Sequence, residues 1–330
     1  MLKKILKINY LRTLPLALMF GFVGCGTQAS STSFNQSTTI ANYNLPRVVA
    51  TTSILCDLTK QIASNTINLT CLIPPGADPH TYQPKPEDGQ ALEQANLILY
   101  NGYNLEPGLI KLITGIKSSA PKIAVAQLAV PKPQKFREGS NIVTDPHIWH
   151  NVNNAIRMVQ VISSNLGKLE PSNAETYTNN KIKINNQLTQ LDRWIKSRIA
   201  SIPTKKRTLV TTHNGLSYYT QAYGLSLLGT LEGISTNQKP TTSKVKNLAK
   251  KIQQAKVPTI FPETAINSNV FQSVGGEAKV KVSERKLYAD GLGEAGSKGE
   301  TYQKMMATNT RIIVEGLGGT YLIFEPKASN

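Results

Sequence analysis

Histidine is scarce in this chain: four in 330 residues, beside three cysteines. Catalytic signatures are missing as well. There is no HExxH helix, no GxSxG elbow and no phosphate-binding loop, so the common zinc-protease, serine-hydrolase and nucleotide-hydrolase chemistries lose their usual carriers. No Lys/Arg run is interleaved with aromatic residues, which argues against nucleic-acid binding. Beyond the first 25 residues no apolar run reaches the roughly 20 residues that cross a bilayer. What is present is unevenly placed: two histidines fall within "TDPHIWHN" (144–151) and a third in the echo "ADPHTY" (77–82).

The first residues, "MLKKILKINYLRTLPLALMFGFVGCG", combine a basic start (Lys3, Lys4, Lys7, Arg12) with an apolar run from Leu14 to Val23. That run suits the hydrophobic region of an export signal and is too short for a membrane span. It ends in Phe22-Val23-Gly24-Cys25, which resembles a bacterial lipobox with Cys25 as the residue to be cleaved before and lipidated. Residues 1–25 are therefore expected to be a signal peptide. Residues 26–45, rich in Ser, Thr and Asn, are expected to be a tether between membrane and domain. Setting aside the four basic residues of the leader leaves 33 basic against 20 acidic residues, net +13. In an exported protein this reads as a solvated basic surface close to anionic lipid. Cys56 and Cys71 remain as an even pair in an oxidising compartment; a disulfide is expected, with two buried free thiols as the alternative.

Short β-branched runs then alternate with helical patterns. "RVVATTS" (47–53), "INLTCLI" (67–73), "LILYNG" (97–102) and "KIAVA" (122–126) read as strands with helices between them. The series restarts with "RTLVTTH" (207–213), "LSLLGTL" (225–231), "TIFPE" (259–263) and "RKLYAD" (285–290). Alternation of this kind implies right-handed crossovers and mostly parallel sheets flanked by helices. Between the two series, Tyr177, Ile184, Leu188, Leu191, Ile195 and Ile199 recur at helical spacing in a segment without internal Gly or Pro. The expected organisation is an α/β lobe over 46–170, a linking helix over 171–202 and a second α/β lobe over 203–330.

This frame gives the histidines places. His80 follows a strand, His147 precedes a helix, His213 ends a strand, and Asp290 ends another. Ligands of open α/β sheets collect beyond the carboxyl ends of the strands, so three imidazoles and one carboxylate can converge between the lobes. Nitrogen with one carboxylate suits Zn²⁺ and its neighbours, and four protein ligands leave zinc no vacant tetrahedral position. That is a holding site rather than a catalytic one.

At "GADPHTYQP" (76–84), "DPHIWHN" (145–151), "LVTTHNGLSYYTQAYGL" (209–225), "FPETAINS" (261–268) and "LYADGLGEAGSKGETYQKMM" (287–306), the chain resembles the metal-binding solute-binding proteins of bacterial zinc and manganese ABC importers. The resemblance implies two lobes on a rigid helix, His80, His147, His213 and Asp290 as ligands, and delivery of Zn²⁺, or alternatively Mn²⁺, to a membrane permease driven by a cytoplasmic ATPase. It also implies a monomer, exported to the periplasm or cell surface and held by a lipid anchor. Manganese members commonly have Glu where this chain has His213, which favours zinc. The His- and acid-rich loop of many zinc members is replaced by the short basic "PKPQKFREGSNIV" (131–143). His150, three residues after His147, is either a partly exposed residue with no metal role, a residue supporting the ligands, or an alternative ligand. Two other classes stand beside this one. A periplasmic zinc hydrolase would need an open coordination position and a base such as Glu263, and an adhesin would use the basic surface.

Overall fold

The computed structural model describes residues 45–327, apart from 139, 237–239 and 267–268. The expected signal peptide, Cys25 and the tether up to residue 44 lie outside the described residues, and none of the helices described is long and apolar enough to cross a membrane.

The first sheet is built from β1 (Arg47–Ala50), β2 (Asn68–Cys71), β3 (Leu97–Tyr100) and β4 (Lys122–Ala124). All pairs are parallel, in the order β2-β1-β3-β4. The crossovers are α1 (Ser53–Ala63), α2 (Pro86–Gln94) and α3 (Pro107–Gly115). Both faces of β1 are covered. Val48 and Ala50 enter the central core with Leu55, Leu58 and Ile62, whereas Val49 enters a second cluster with Leu92, Ile98, Leu109 and Ile113. This two-sided burial is why the strand reads as an unbroken apolar run rather than an alternating one.

After α4 (Val125–Ala129) the chain makes an antiparallel hairpin, β5 (Lys135–Glu138) with β6 (Asn141–Thr144), in the stretch whose sequence reads only as a short basic loop. Two helices follow, α5 (Val152–Leu169) and α6 (Ala174–Ala200), the latter entered through a single 3-10 turn at Pro171–Asn173. The stripe expected from the sequence is the buried face of α6: Tyr177, Ile184, Leu188, Leu191, Ile195 and Ile199 all join the central core. Burial of each such side chain contributes about 1.5–3 kcal/mol before entropy. The helix therefore packs along its length against α1, α5 and, further on, α10 (Tyr302–Gly316).

The second α/β series runs β7 (Thr208–Thr211), α7 (Ser217–Tyr223), β8 (Ser226–Thr230), α8 (Thr242–Ala255), β9 (Thr259–Ile260), α9 (Asn269–Ala278) and β10 (Lys281–Val282). β7 pairs with β8 and β9 with β10, again parallel, and a bridge from Thr211 to Phe261 joins the two pairs. One expectation is corrected here. "RKLYAD" is not a strand; Leu287 forms a single bridge to Glu263, and the pairing strand is the shorter β10 just before it. The reason is a side chain that substitutes for a neighbouring strand: Asn309 of α10 accepts from the Tyr288 N–H at 2.9 Å and donates to its carbonyl at 2.8 Å. The backbone is satisfied without a ladder.

Cys56 on α1 and Cys71 at the end of β2 are joined in a disulfide, their Cα atoms 5.8 Å apart. A bridge across 15 residues of sequence removes about 3 kcal/mol of chain entropy from the unfolded state. Denatured, unreduced protein lacking the leader should therefore show no titratable thiol, and Cys56→Ala with Cys71→Ala should lower unfolding stability by about 3 kcal/mol in urea. Two reactive thiols in the unreduced chain would contradict the pairing.

Candidate metal centre

The repeated Asp-Pro-His has a local cause. In each copy the aspartate side chain accepts the backbone N–H of the histidine two residues on: Asp78 Oδ1 from His80 and Asp145 Oδ1 from His147, both at 2.9 Å. This is the Asx turn that Asp favours, with proline fixing the backbone between. One turn lies in the loop after β2 and the other just before α5, and each presents its imidazole inward. His213 leaves the end of β7, where the Thr211 hydroxyl donates to its carbonyl at 2.9 Å. Asp290 lies three residues beyond the Leu287 bridge.

These four side chains meet. One ligand atom from each of His80, His147, His213 and Asp290 lies within 4.8 Å of the others, and all four residues are buried. His147 Nε2 is 3.1 Å from His80 Nε2 and 3.3 Å from His213 Nε2. Asp290 Oδ1 lies 3.1 Å from His147 Nε2, 3.2 Å from His213 Nε2 and 3.7 Å from His80 Nε2. Even so, neither Asp290 oxygen makes a well-directed hydrogen bond among the described residues. The atoms face a common point rather than one another.

Carboxylates behind the rings fix which nitrogen faces that point. His147 Nδ1 donates to Asp145 Oδ1 at 2.7 Å. His213 Nδ1 donates to Glu263 Oε2, and Glu263 Oε1 also accepts the His213 backbone N–H at 3.2 Å. With the proton held on Nδ1, each Nε2 turns a lone pair toward its neighbours. Converging lone pairs and a carboxylate in a buried space require a positive charge at their centre. Burial alone would lower the pKa of His213, but Asp290 and Glu263 outweigh it and hold the ring well above its ordinary value. The same balance of burial against Asp145 and Asp290 raises His147. Burial likewise opposes ionisation of Asp290, yet the facing imidazoles keep its carboxyl well below the usual range.

His150 is fully buried, which corrects the expectation of partial exposure. It lies in a 3-10 turn rather than on a regular helix face, and its Nε2 donates to the Ala289 carbonyl at 2.7 Å. Trp149 Nε1 donates to the same carbonyl at 3.2 Å. Burial drives the His150 pKa down to about 3, so the ring stays neutral. Two further residues that the sequence leaves unassigned shape the site. Asp145 lies within the Asp-Pro-His motif, and its position two residues before His147 is the signal the sequence offers. Gly215 carried none: a Cβ there would come 2.5 Å from His213 Cε1 and 2.7 Å from Nε2, so only glycine lets the imidazole lie where it does.

Two α/β series, a long helix packed on helices α1 and α7 from each, and a set of three imidazoles and one carboxylate define a protein that holds a metal rather than a catalyst. Glu263, the candidate base of a hydrolase, has both oxygens engaged by His213. Comparison with known proteins gives the family. A profile described as zinc-uptake complex component A, periplasmic, matches residues 48–316. The metal ABC transporter substrate-binding lipoprotein ScbA of Streptococcus cristatus is 34% identical over 94% of this chain and 99% of its own length. The manganese ABC transporter substrate-binding lipoprotein PsaA of Streptococcus pneumoniae is 33% identical over the same shares. Among solved structures, the periplasmic zinc-binding protein TroA of Treponema pallidum superposes with a TM-score of 0.79 at 30% identity, covering 83% of this chain and 99% of that one. The chain belongs to this family of metal-binding, non-enzymatic solute-binding proteins of ABC transporters.

Two outcomes are expected. Protons and metal compete for the same Nε2 atoms, so affinity should be constant at high pH and fall as pH drops through the raised pKa of His213 and His147. The loss should approach about tenfold per pH unit for each proton displaced, and titration in buffers of different ionisation enthalpy should register proton release. Glu263→Gln and Asp145→Asn should each weaken metal binding by about 10–100-fold while leaving the circular dichroism spectrum unchanged. Unchanged affinity in both would remove the carboxylates from the site's function.

Proposed function

We propose that this protein captures Zn²⁺ outside the cytoplasm and delivers it to the permease of an ABC importer, with His80, His147, His213 and Asp290 as the ligands. The observation that carries this is the pair of carboxylate-anchored imidazoles, His147 and His213, whose Nε2 lone pairs converge on Asp290. Three nitrogens and one oxygen make a set that zinc accepts readily in tetrahedral geometry. Mn²⁺ stands lowest in the divalent affinity series and prefers oxygen with a higher coordination number. All ligands come from one chain, so a monomer suffices.

The supporting roles follow from contact. His150 and Trp149 hold the carbonyl of the residue before Asp290, which sets the direction of that carboxylate without ligation. In this reading the lobes are residues 46–170 and 203–330, linked by 171–202, and the metal is gripped by two residues from each. Cys25 carries the lipid anchor after cleavage of the leader just before it, so the domain works on the outer face of a membrane, beside a permease with its ATPase. The names of the relatives support an exported, lipid-anchored importer component.

A manganese cargo is the second reading. It is favoured by the name of PsaA and by a Mn-bound periplasmic metal-binding protein of Candidatus Liberibacter asiaticus, 27% identical with a TM-score of 0.75. The donor set of this chain argues against it.

Direct competition decides between them. Wild-type protein should bind Zn²⁺ clearly more tightly than Mn²⁺. His213→Glu, which adds an oxygen donor and a negative charge, should narrow that preference with the fold retained. Saturating Zn²⁺ should also raise the melting temperature, since an ion bound at 1,000 times its Kd stabilises the folded state by about 4 kcal/mol. Equal affinity for the two metals, or an unchanged ratio in the variant, would transfer the cargo to manganese. A melting curve that neither metal moves would remove the importer reading itself.

A further inference from the structure

The basic excess of the chain is not spread evenly. Helix α8 carries Lys244, Lys246, Lys250 and Lys251 and no acidic residue, and Lys256 caps its end. All five lysines are exposed, and none takes part in an ion pair among the described residues. The apolar residues Leu248, Ala249 and Ile252 point the opposite way, into the core of the second α/β series. At 100° per residue Lys244, Lys246, Lys250 and Lys251 spread across the solvent half of the helix, among neutral Ser243, Asn247, Gln253 and Gln254. The adjoining α9 contributes one acid, Glu277, and the exposed Lys279 and Lys281 follow it directly.

Helix α10 is built differently: Lys304 and Arg311 pair with Glu300 and Glu315. Unpaired like charges on one face repel each other, so the folded chain gains nothing internally from the α8 set. An external polyanion neutralises it.

We propose that the α8 face is a docking surface for the anionic lipid bilayer. Charge complementarity carries the choice: a broad face of lysines on a regular helix suits a planar array of phosphate headgroups, whose attraction adds with each Lys within a Debye length. The length of chain before the fold allows it. From residue 26 to residue 44 there are 19 residues, which span at most about 65 Å fully extended, so a chain anchored at Cys25 keeps this face within reach of the membrane. This last step rests on the lipid-anchor reading; the charge argument does not.

The test uses the chain from residue 26, which contains all three buried core clusters and lacks the lipid, so that binding reports the surface alone. It is mixed with vesicles of neutral phosphatidylcholine, or of phosphatidylcholine with about one-third phosphatidylglycerol, and sedimented. Binding to the anionic vesicles only, reversed by high salt, is expected. Lys244→Gln, Lys246→Gln, Lys250→Gln and Lys251→Gln together should weaken it by at least about tenfold. The same number of exposed lysines removed elsewhere, at Lys111, Lys183, Lys205 and Lys286, should leave most of the binding. Equal losses in the two variants would reduce the effect to net charge and overturn the proposal. So would absence of vesicle binding, or soluble polyphosphate binding to α8 while anionic vesicles are left unbound. The shift of melting temperature with Zn²⁺, unchanged in the α8 variant, verifies its fold and keeps this outcome separate from that of the metal reading.

Discussion

Four electron-rich atoms buried at one point need a cation among them, and much of this structure arranges that need. The Nε2 atoms of His147 and His213 lie 3.3 Å apart, and Asp290 Oδ1 lies within 3.2 Å of each. In water such groups would turn away and be solvated. Here they cannot, because Asp145 and Glu263 hold the far side of the two rings and the fold closes around them. The desolvation penalty is carried by packing elsewhere in the chain. What the site gains is an unmet demand for positive charge that a proton meets partly and a divalent transition metal meets better.

The supports are graded by distance from that point. Carboxylates fix the ring tautomers, a glycine without a Cβ admits the His213 ring, and two donors from Trp149 and His150 fix the carbonyl before Asp290. These last two bonds join the segment that opens α5 to the segment after the Leu287 bridge, so the positions of His147 and Asp290 are coupled through the Ala289 carbonyl. Further contacts tie the segment after the Leu287 bridge to the first α/β series: Gly76 N–H, in the loop after β2, donates to the Leu292 carbonyl, and the hydroxyl of Ser53, at the start of α1, accepts from the Leu292 N–H, both at 2.9 Å. Opening the site therefore requires breaking a set of short, directional bonds, whereas the α6 stripe gives a broad apolar contact that has no reason to move.

Much of this was legible in the sequence, for identifiable reasons. Periodicity alone marked the α6 stripe from Tyr177 to Ile199, because a buried helix face leaves its spacing in the order of residues. Apolar runs bounded by turn residues marked β1, β2 and β3. The position of His80, His147 and His213 at strand and loop ends pointed to a crevice, because parallel sheets bring their carboxyl ends to one side. The sequence by itself thus determined the α/β class, the long helix and the identity of the four converging side chains. These depend on local period and on chirality rules that hold wherever such runs occur.

Tertiary structure alone decided the rest. Whether "RKLYAD" would be a strand depended on Asn309, twenty-one residues beyond Tyr288, which satisfies that backbone with its amide. The hairpin β5–β6 arose within a stretch too short and too basic to announce it. His150, placed by spacing beside His147, proved buried and turned toward Ala289, because a 3-10 turn replaces the regular helix on which that spacing would share a face. Which nitrogen of His213 faces the centre of the site depends on Glu263 meeting that ring across 50 residues of chain. Such pairings are set by where two distant backbones lie in space, and local propensity, which ends within a few residues, holds no information about them.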